Sequence, residues 1–194
     1  ADRTPVTQGV IYTALAQAMY SDALWPQLER SLSDAVEGDG AGLLQLYDDY
    51  FQRKPDGTYG NELEAFLAIS CLDDPGPTSV EEVDAQIPVF TKAAKRFGAS
   101  FAYGYSCALW PVAQAPRITI TGKGAGPIIV IGTTGDPATP IESSRKAARS
   151  LEGGLFLTVK ADQHTGYGLN TCVVETVDRY LIDLRAPADG KVCG

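Results

Sequence analysis

Residues 128–140 read Ile128-Ile129-Val130-Ile131-Gly132-Thr133-Thr134-Gly135-Asp136-Pro137-Ala138-Thr139-Pro140. Four consecutive branched apolar residues argue for a strand buried on both faces, as in a parallel sheet. The Gly, Asp and Pro behind them mark the turn that ends it. Further on, residues 141–151 carry helical periodicity, 155–160 form a second apolar run, and 170–184 form a last helix. Strand, helix, strand, helix is the order of a parallel βαβα unit. Two strands alone make no stable sheet, so the unit read here is incomplete by itself.

The loops behind the two strands hold the chemistry. The first contains Asp136; the second, Ala161-Asp162-Gln163-His164-Thr165-Gly166, contains the single histidine of the chain. In a parallel sheet both loops lie at the carboxyl edge, where open α/β sheets place their sites. An aspartate there suits Nδ1–H of an imidazole, which fixes the tautomer and leaves Nε2 free as a general base. The plainer alternatives are an Asp136 that caps the next helix or makes an Asx turn, and a lone His that is structural or faces solvent.

Working back toward the amino terminus, the texture changes near residue 115. Helical periodicity marks 10–20, 25–36, 42–51, 61–72 and 79–97. Asn61 with Glu64, and Ser79 with Glu82, have the spacing of capping boxes, and Gly38 and Gly57 fall where helices stop. We therefore divide the chain into a helical region, 1–115, and an α/β region, 116–194. The run Gly122-Lys123-Gly124-Ala125-Gly126 precedes a strand instead of following one and fits no phosphate-loop pattern, so it reads as a flexible connector. Tyr47, Tyr50, Phe51 and Tyr59 either line a cleft or pack the helices together.

The whole chain has 194 residues, with 16 Lys plus Arg against 24 Asp plus Glu and a formal charge of −8. Nucleic acid and anionic membrane are poor partners for that surface. No apolar run approaches the roughly 18 residues of a membrane span. Cys71, Cys107, Cys172 and Cys193 are the only cysteines, none within a few residues of another. With one His beside them a zinc site is nearly excluded, and an even count fits disulfides in an oxidising compartment. Three connectivities exist, and we favour neighbours, Cys71 with Cys107 and Cys172 with Cys193, each closing a loop worth about 3 to 4 kcal/mol in the chain-entropy account. The second pair would staple a tail that otherwise has little to hold it.

Strand, G-x-x-D-P-x-T-P, helix, strand and then His before Gly is similar to the last third of α/β-hydrolases. Ile69-Ser70-Cys71-Leu72-Asp73, the stretch from Gly132 to Pro140, and the closing Cys172 and Cys193 look like the tripeptidyl-aminopeptidase-like branch, secreted bacterial serine peptidases and esterases. The resemblance covers most of residues 60–194. It implies the α/β class: a partial α/β-hydrolase core, its C-terminal βαβα, behind a mainly helical lid. It also implies Asp136 as triad acid and His164 as triad base, with no metal or organic cofactor. On the lid, Asp73 and Asp74, or Glu62 and Glu64, are candidates to bind the free amino group of a peptide; the alternative is that they cap helices or face solvent.

One element of the family is missing. No G-x-S-x-G occurs, and the nearest sequence, Gly104-Tyr105-Ser106-Cys107-Ala108, leaves too few residues before Asp136 for the intervening strands and helices. Pro111 would also break the long helix that follows an elbow. The reading is therefore a lid and C-terminal segment of a secreted serine hydrolase, acting on peptides or esters, whose nucleophile Ser lies in an upstream segment and which is inactive alone. The competing reading is a noncatalytic, disulfide-stapled binding module derived from a hydrolase. The two differ at strand 127–132: half of an enzyme leaves that edge open, whereas a finished module covers it.

Overall fold

The computed structural model describes residues 5–73, 76–102, 104–113, 116 and 118–194. Helices α1 (Gln8–Met19), α2 (Trp25–Val36), α3 (Ala41–Tyr50), α4 (Glu62–Asp73), α5 (Val80–Ala93) and α6 (Tyr105–Ala108) precede β1 (Ile128–Thr133). There follow α7 (Ile141–Ser150), β2 (Gly154–Val159), α8 (Thr171–Asp183) and β3 (Lys191–Cys193). The chain divides into two compact units, one of residues up to Ala14 with Leu43–Ile118, the other of Leu15–Gly42 with Thr119–Gly194. Segment 15–42, which a division at residue 115 leaves among the helices, belongs with the sheet. Residues 114, 115 and 117, at that division, lie outside the described residues.

The sheet runs β1-β2-β3 and is parallel throughout. Ile128 stands opposite Gly154 and Thr133 opposite Val159, so residues of matching parity share a face. Ile129, Ile131, Leu157 and Val159 gather with Val173 and Val177 of α8 on one side. Leu157, Val159 and Val173 are fully buried there; each such side chain contributes roughly 1.5 to 3 kcal/mol. On the other face α7 packs over Gly132 and Phe156, with Ile141 close against the former. The Arg145 guanidinium sits 5.3 Å over the Phe156 ring. One helix on each face is what a strand apolar on both sides demands.

The third strand is the element that the sequence pattern conceals. Beyond the Cys172–Cys193 disulfide, the tail pairs with β2 in register, Leu157 opposite Lys191 and Val159 opposite Cys193. Gly190 N–H donates to the Phe156 carbonyl at 2.9 Å, and Asp189 accepts from Phe156 N–H at 2.8 Å. These bonds supply the strand that a two-stranded sheet lacks. At the opposite side, β2 is the one strand paired with β1 among the described residues.

In the helical unit the second disulfide, Cys71–Cys107, joins α4 to α6. Helix α5 is shorter than its periodicity suggests. It contains Pro88, which has no N–H to give to the preceding turn; the helix stops at Ala93, and a separate 3-10 turn forms at Gly98–Phe101. Ser79 caps α5 by accepting from Glu82 N–H at 3.2 Å. The Glu82 carboxylate reaches back to Thr78 N–H at 2.7 Å, and the backbone N–H groups of Thr78 and Ser79 with the Thr78 hydroxyl hold its pKa below the usual carboxylate value, as a capping box requires. Phe51 meets Tyr47 and Tyr50 edge to face at 4.9 and 5.1 Å, which accounts for three of the four aromatic residues as packing. The run from Gly122 to Gly126 is a hydrogen-bonded turn, Ala125 N–H to the Gly122 carbonyl at 3.0 Å, instead of a loose connector. No helix among the described residues is long and apolar enough to cross a membrane.

Candidate active site at the strand ends

Strand β1 ends at Thr133 and strand β2 at Val159, so in a parallel sheet their following loops emerge side by side. Several bonds then lock them together. Thr134 N–H donates to the Val159 carbonyl at 3.0 Å, and Gly135 N–H to the Ala161 carbonyl at 2.8 Å. The Thr134 hydroxyl both donates to the Ala161 carbonyl and accepts from Ala161 N–H, each at 3.1 Å. Gly135 lies so close to Asp162 that a side chain there would strike it. Gly166 is as confined: a Cβ would come within 2.7 Å of Ile131 and 3.0 Å of Val159.

Held this way, Asp136 and His164 meet. Nδ1 of His164 lies 3.0 Å from both carboxylate oxygens of Asp136. The carboxylate accepts four further hydrogen bonds. Oδ1 takes Ala138 N–H at 2.9 Å and Thr139 N–H at 2.8 Å; Oδ2 takes the Thr139 hydroxyl at 2.9 Å and Thr165 N–H at 3.2 Å. The bond to Ala138 is an Asx turn, so that reading of Asp136 holds alongside its contact with His164. The capping reading does not hold, since the residue before α7 is Pro140 and no side chain caps that helix.

The electrostatics favour an ionised acid. The Asp136 side chain is 3% exposed. Burial, the largest single effect, raises its pKa. The hydrogen bonds from Thr139 N–H, His164, the Thr139 hydroxyl and Thr165 N–H together outweigh burial and hold it down at about 2. A carboxylate therefore faces Nδ1, so that in the neutral imidazole Nδ1–H is the favoured tautomer and Nε2 keeps its lone pair. The His164 side chain is 26% exposed, enough for a reacting group to reach it.

Two residues that sequence reasoning missed complete the frame. The Tyr20 carbonyl accepts from His164 N–H at 3.1 Å, and the Tyr20 ring stands edge-on to the imidazole, centroids 5.2 Å apart. Thr165 adopts φ +67°, a strained backbone for a β-branched residue, and so points its N–H at Asp136. Nothing in residue spacing announces either. Thr139, by contrast, is visible as the Thr of the D-P-x-T-P stretch.

The other sequence candidates, Glu62, Asp73 and Ser106, belong to the helical unit. Glu62 opens α4 and Asp73 closes it, both exposed; eleven residues of helix set them roughly 16 Å apart along its axis. They are not brought together. Asp74 is outside the described residues. Ser106 is exposed in the one-turn helix α6, which follows a 3-10 turn and not a strand. A depression of about 630 Å³ in the sheet unit is lined by Asp22, Ala23, Trp25, Pro26 and Glu29, without Asp136 or His164. Among the described residues no group of three His, Cys, Asp or Glu converges to hold a metal ion.

The family described as TAP-like protein matches residues 93–193, which include both Asp136 and His164. Serine protease Hip1 of Mycobacterium tuberculosis (strain ATCC 25618 / H37Rv) is 33% identical over 205 residues, covering 98% of this chain and 38% of its own length. Carboxylesterase B of the same strain is 35% identical over 190 residues, with 93% and 36% covered. Tripeptidyl aminopeptidase of Streptomyces lividans is 26% identical over 181 residues, with 91% and 34% covered. The chain thus spans little more than a third of the length of the curated relatives it matches.

Proposed function

Because this chain belongs to the TAP-like protein family, we propose that Asp136 and His164 are the acid and base of a serine hydrolase whose nucleophile is supplied by a segment outside these residues. The observation that carries the reading is the 3.0 Å bond from His164 Nδ1 to a carboxylate held ionised down to about pH 2. In the assembled site, Nε2 takes the proton of the Ser hydroxyl as its oxygen attacks a carbonyl, and then delivers it to the leaving group. Asp136 keeps the ring in the required tautomer and stabilises the imidazolium formed between those steps. The peptidase and esterase names of the relatives support a peptide or ester as substrate. Glu62 and Asp73 carry no part of this proposal.

Two further features support it. Strand β1 has one strand neighbour among the described residues, so alternate peptide groups along it point away from β2, as expected where further strands pair. Both disulfides fit an oxidising, extracytoplasmic setting, and we propose secretion on that ground. The test is labelling with a fluorophosphonate probe. The chain alone stays unlabelled; joined to an upstream segment carrying a G-x-S-x-G serine it becomes labelled, and His164→Ala abolishes the signal. Labelling of the isolated chain would reinstate Ser106, and a failure to restore labelling would favour the binding module.

A further inference from the structure

We propose that Cys193 is a positioning residue for His164, because it anchors both ends of the loop that carries the imidazole. The loop leaves β2 after Val159 and enters α8 at Thr171. At its first end, Lys160 N–H donates to the Cys193 carbonyl at 2.8 Å. At its second end Cys172, the second residue of α8, is bonded through sulfur to the same Cys193. One buried residue, 1% exposed, thereby closes a ring around residues 160–172.

Within that ring the other ties are hydrogen bonds: Gly135 N–H to the Ala161 carbonyl, the Thr134 hydroxyl to both backbone groups of Ala161, His164 N–H to the Tyr20 carbonyl, and His164 Nδ1 and Thr165 N–H to Asp136. The anchor itself sits on a three-residue strand that pairs on one side only among the described residues. What retains it is the sulfur link to α8, whose Val173 and Val177 share a hydrophobic cluster with Cys193. Release of that link frees the Cys193 carbonyl from Lys160 and the first turn of α8 from β3. The imidazole then loses the Nδ1–Asp136 contact that fixes its tautomer and orientation, where a displacement of about 1 Å is already costly.

This inference rests on the reading of His164 as a base, and its test separates the two. As the single histidine of the chain, His164 gives unambiguous ring ¹⁵N signals, which report the fraction of Nδ1–H tautomer. In the intact chain that tautomer dominates. In Cys172→Ala with Cys193→Val, chosen to keep apolar volume in the cluster, the fraction falls several-fold while the amides of β1 and β2 stay protected from exchange. Cys71→Ala with Cys107→Ala leaves the fraction unchanged. The inference is overturned by an unchanged tautomer in the Cys172/Cys193 variant or by equal loss in both variants. Collapse of β1 and β2 protection also overturns it, since the link then holds the sheet and not the loop. If the intact chain itself lacks the Nδ1–H tautomer, the acid–base reading fails and this inference with it; failure confined to the variants sinks the anchor alone.

Discussion

Thr165 donates its backbone N–H to Oδ2 of Asp136 at 3.2 Å from a left-handed conformation, φ +67°. A β-branched residue pays for that geometry with strain of about 1 to 3 kcal/mol. Asn tolerates the left-handed region better. Thr165→Asn therefore raises the free energy of unfolding by about 0.5 to 1 kcal/mol, measured by denaturant titration, with the Asp136 bond intact. Thr165→Pro removes the donor and forbids the angle, and it destabilises by about 3 kcal/mol or more. A Thr165→Asn chain no more stable than the parent would show that the conformation is not strained.

Acid sensitivity follows from the Asp136 carboxylate. Its folded-state pKa, about 2, lies below the ordinary 3.8. The ionised group thus favours the folded state fully above the ordinary value, and that contribution disappears as pH falls through about 2. Nearly two pH units correspond to about 2 kcal/mol. Unfolding measured between pH 5 and pH 2 should show this loss, and the loss should be absent in Asp136→Asn. Parallel acid limbs for the two proteins would assign the sensitivity to other carboxylates.

Asp136→Asn also tests the tautomer. The amide cannot accept from all the donors that converge there, so about 1 to 3 kcal/mol of stability is lost. In the labelled, reconstituted enzyme the rate should fall by roughly four orders of magnitude, the scale of the equivalent change in a chymotrypsin-type triad. A fall of less than tenfold would mean that His164 does not depend on Asp136.

Tyr20→Ala keeps the carbonyl that accepts from His164 but deletes the ring beside it. An edge-on aromatic pair is worth about 0.5 to 1.5 kcal/mol beyond its buried area. Amide exchange at His164 should accelerate accordingly, with the bulk of the sheet unaffected. Unaltered exchange would restrict the role of this segment to its backbone.

The main elements were legible wherever side-chain period decides the structure. The run from Ile128 to Ile131 can only be satisfied between two layers, and the amphipathic pattern of α2 or α7 allows one helical face. Asp136 and His164 were legible because strand ends in a parallel sheet are the places where distant residues converge. What escaped depends on backbone groups and tertiary support. Strand β3 is three residues long and offers the pattern only Val192 and Cys193, so its pairing follows from β2 and the disulfide rather than from propensity. Tyr20 contributes a carbonyl and Thr165 an N–H, main-chain groups that all residues but proline share and no motif encodes. The affiliation of segment 15–42 with the sheet is likewise a long-range contact with no local sign.

The two hydrogen bonds between the Thr134 hydroxyl and Ala161 bear on assembly. On the proposed reading of Asp136 as acid and His164 as base, these bonds join the two loops into one bracket before any nucleophile arrives. A chain segment that brings the serine does not have to organise three groups at once, with the entropy that such ordering demands. Its task reduces to setting a single oxygen within reach of Nε2.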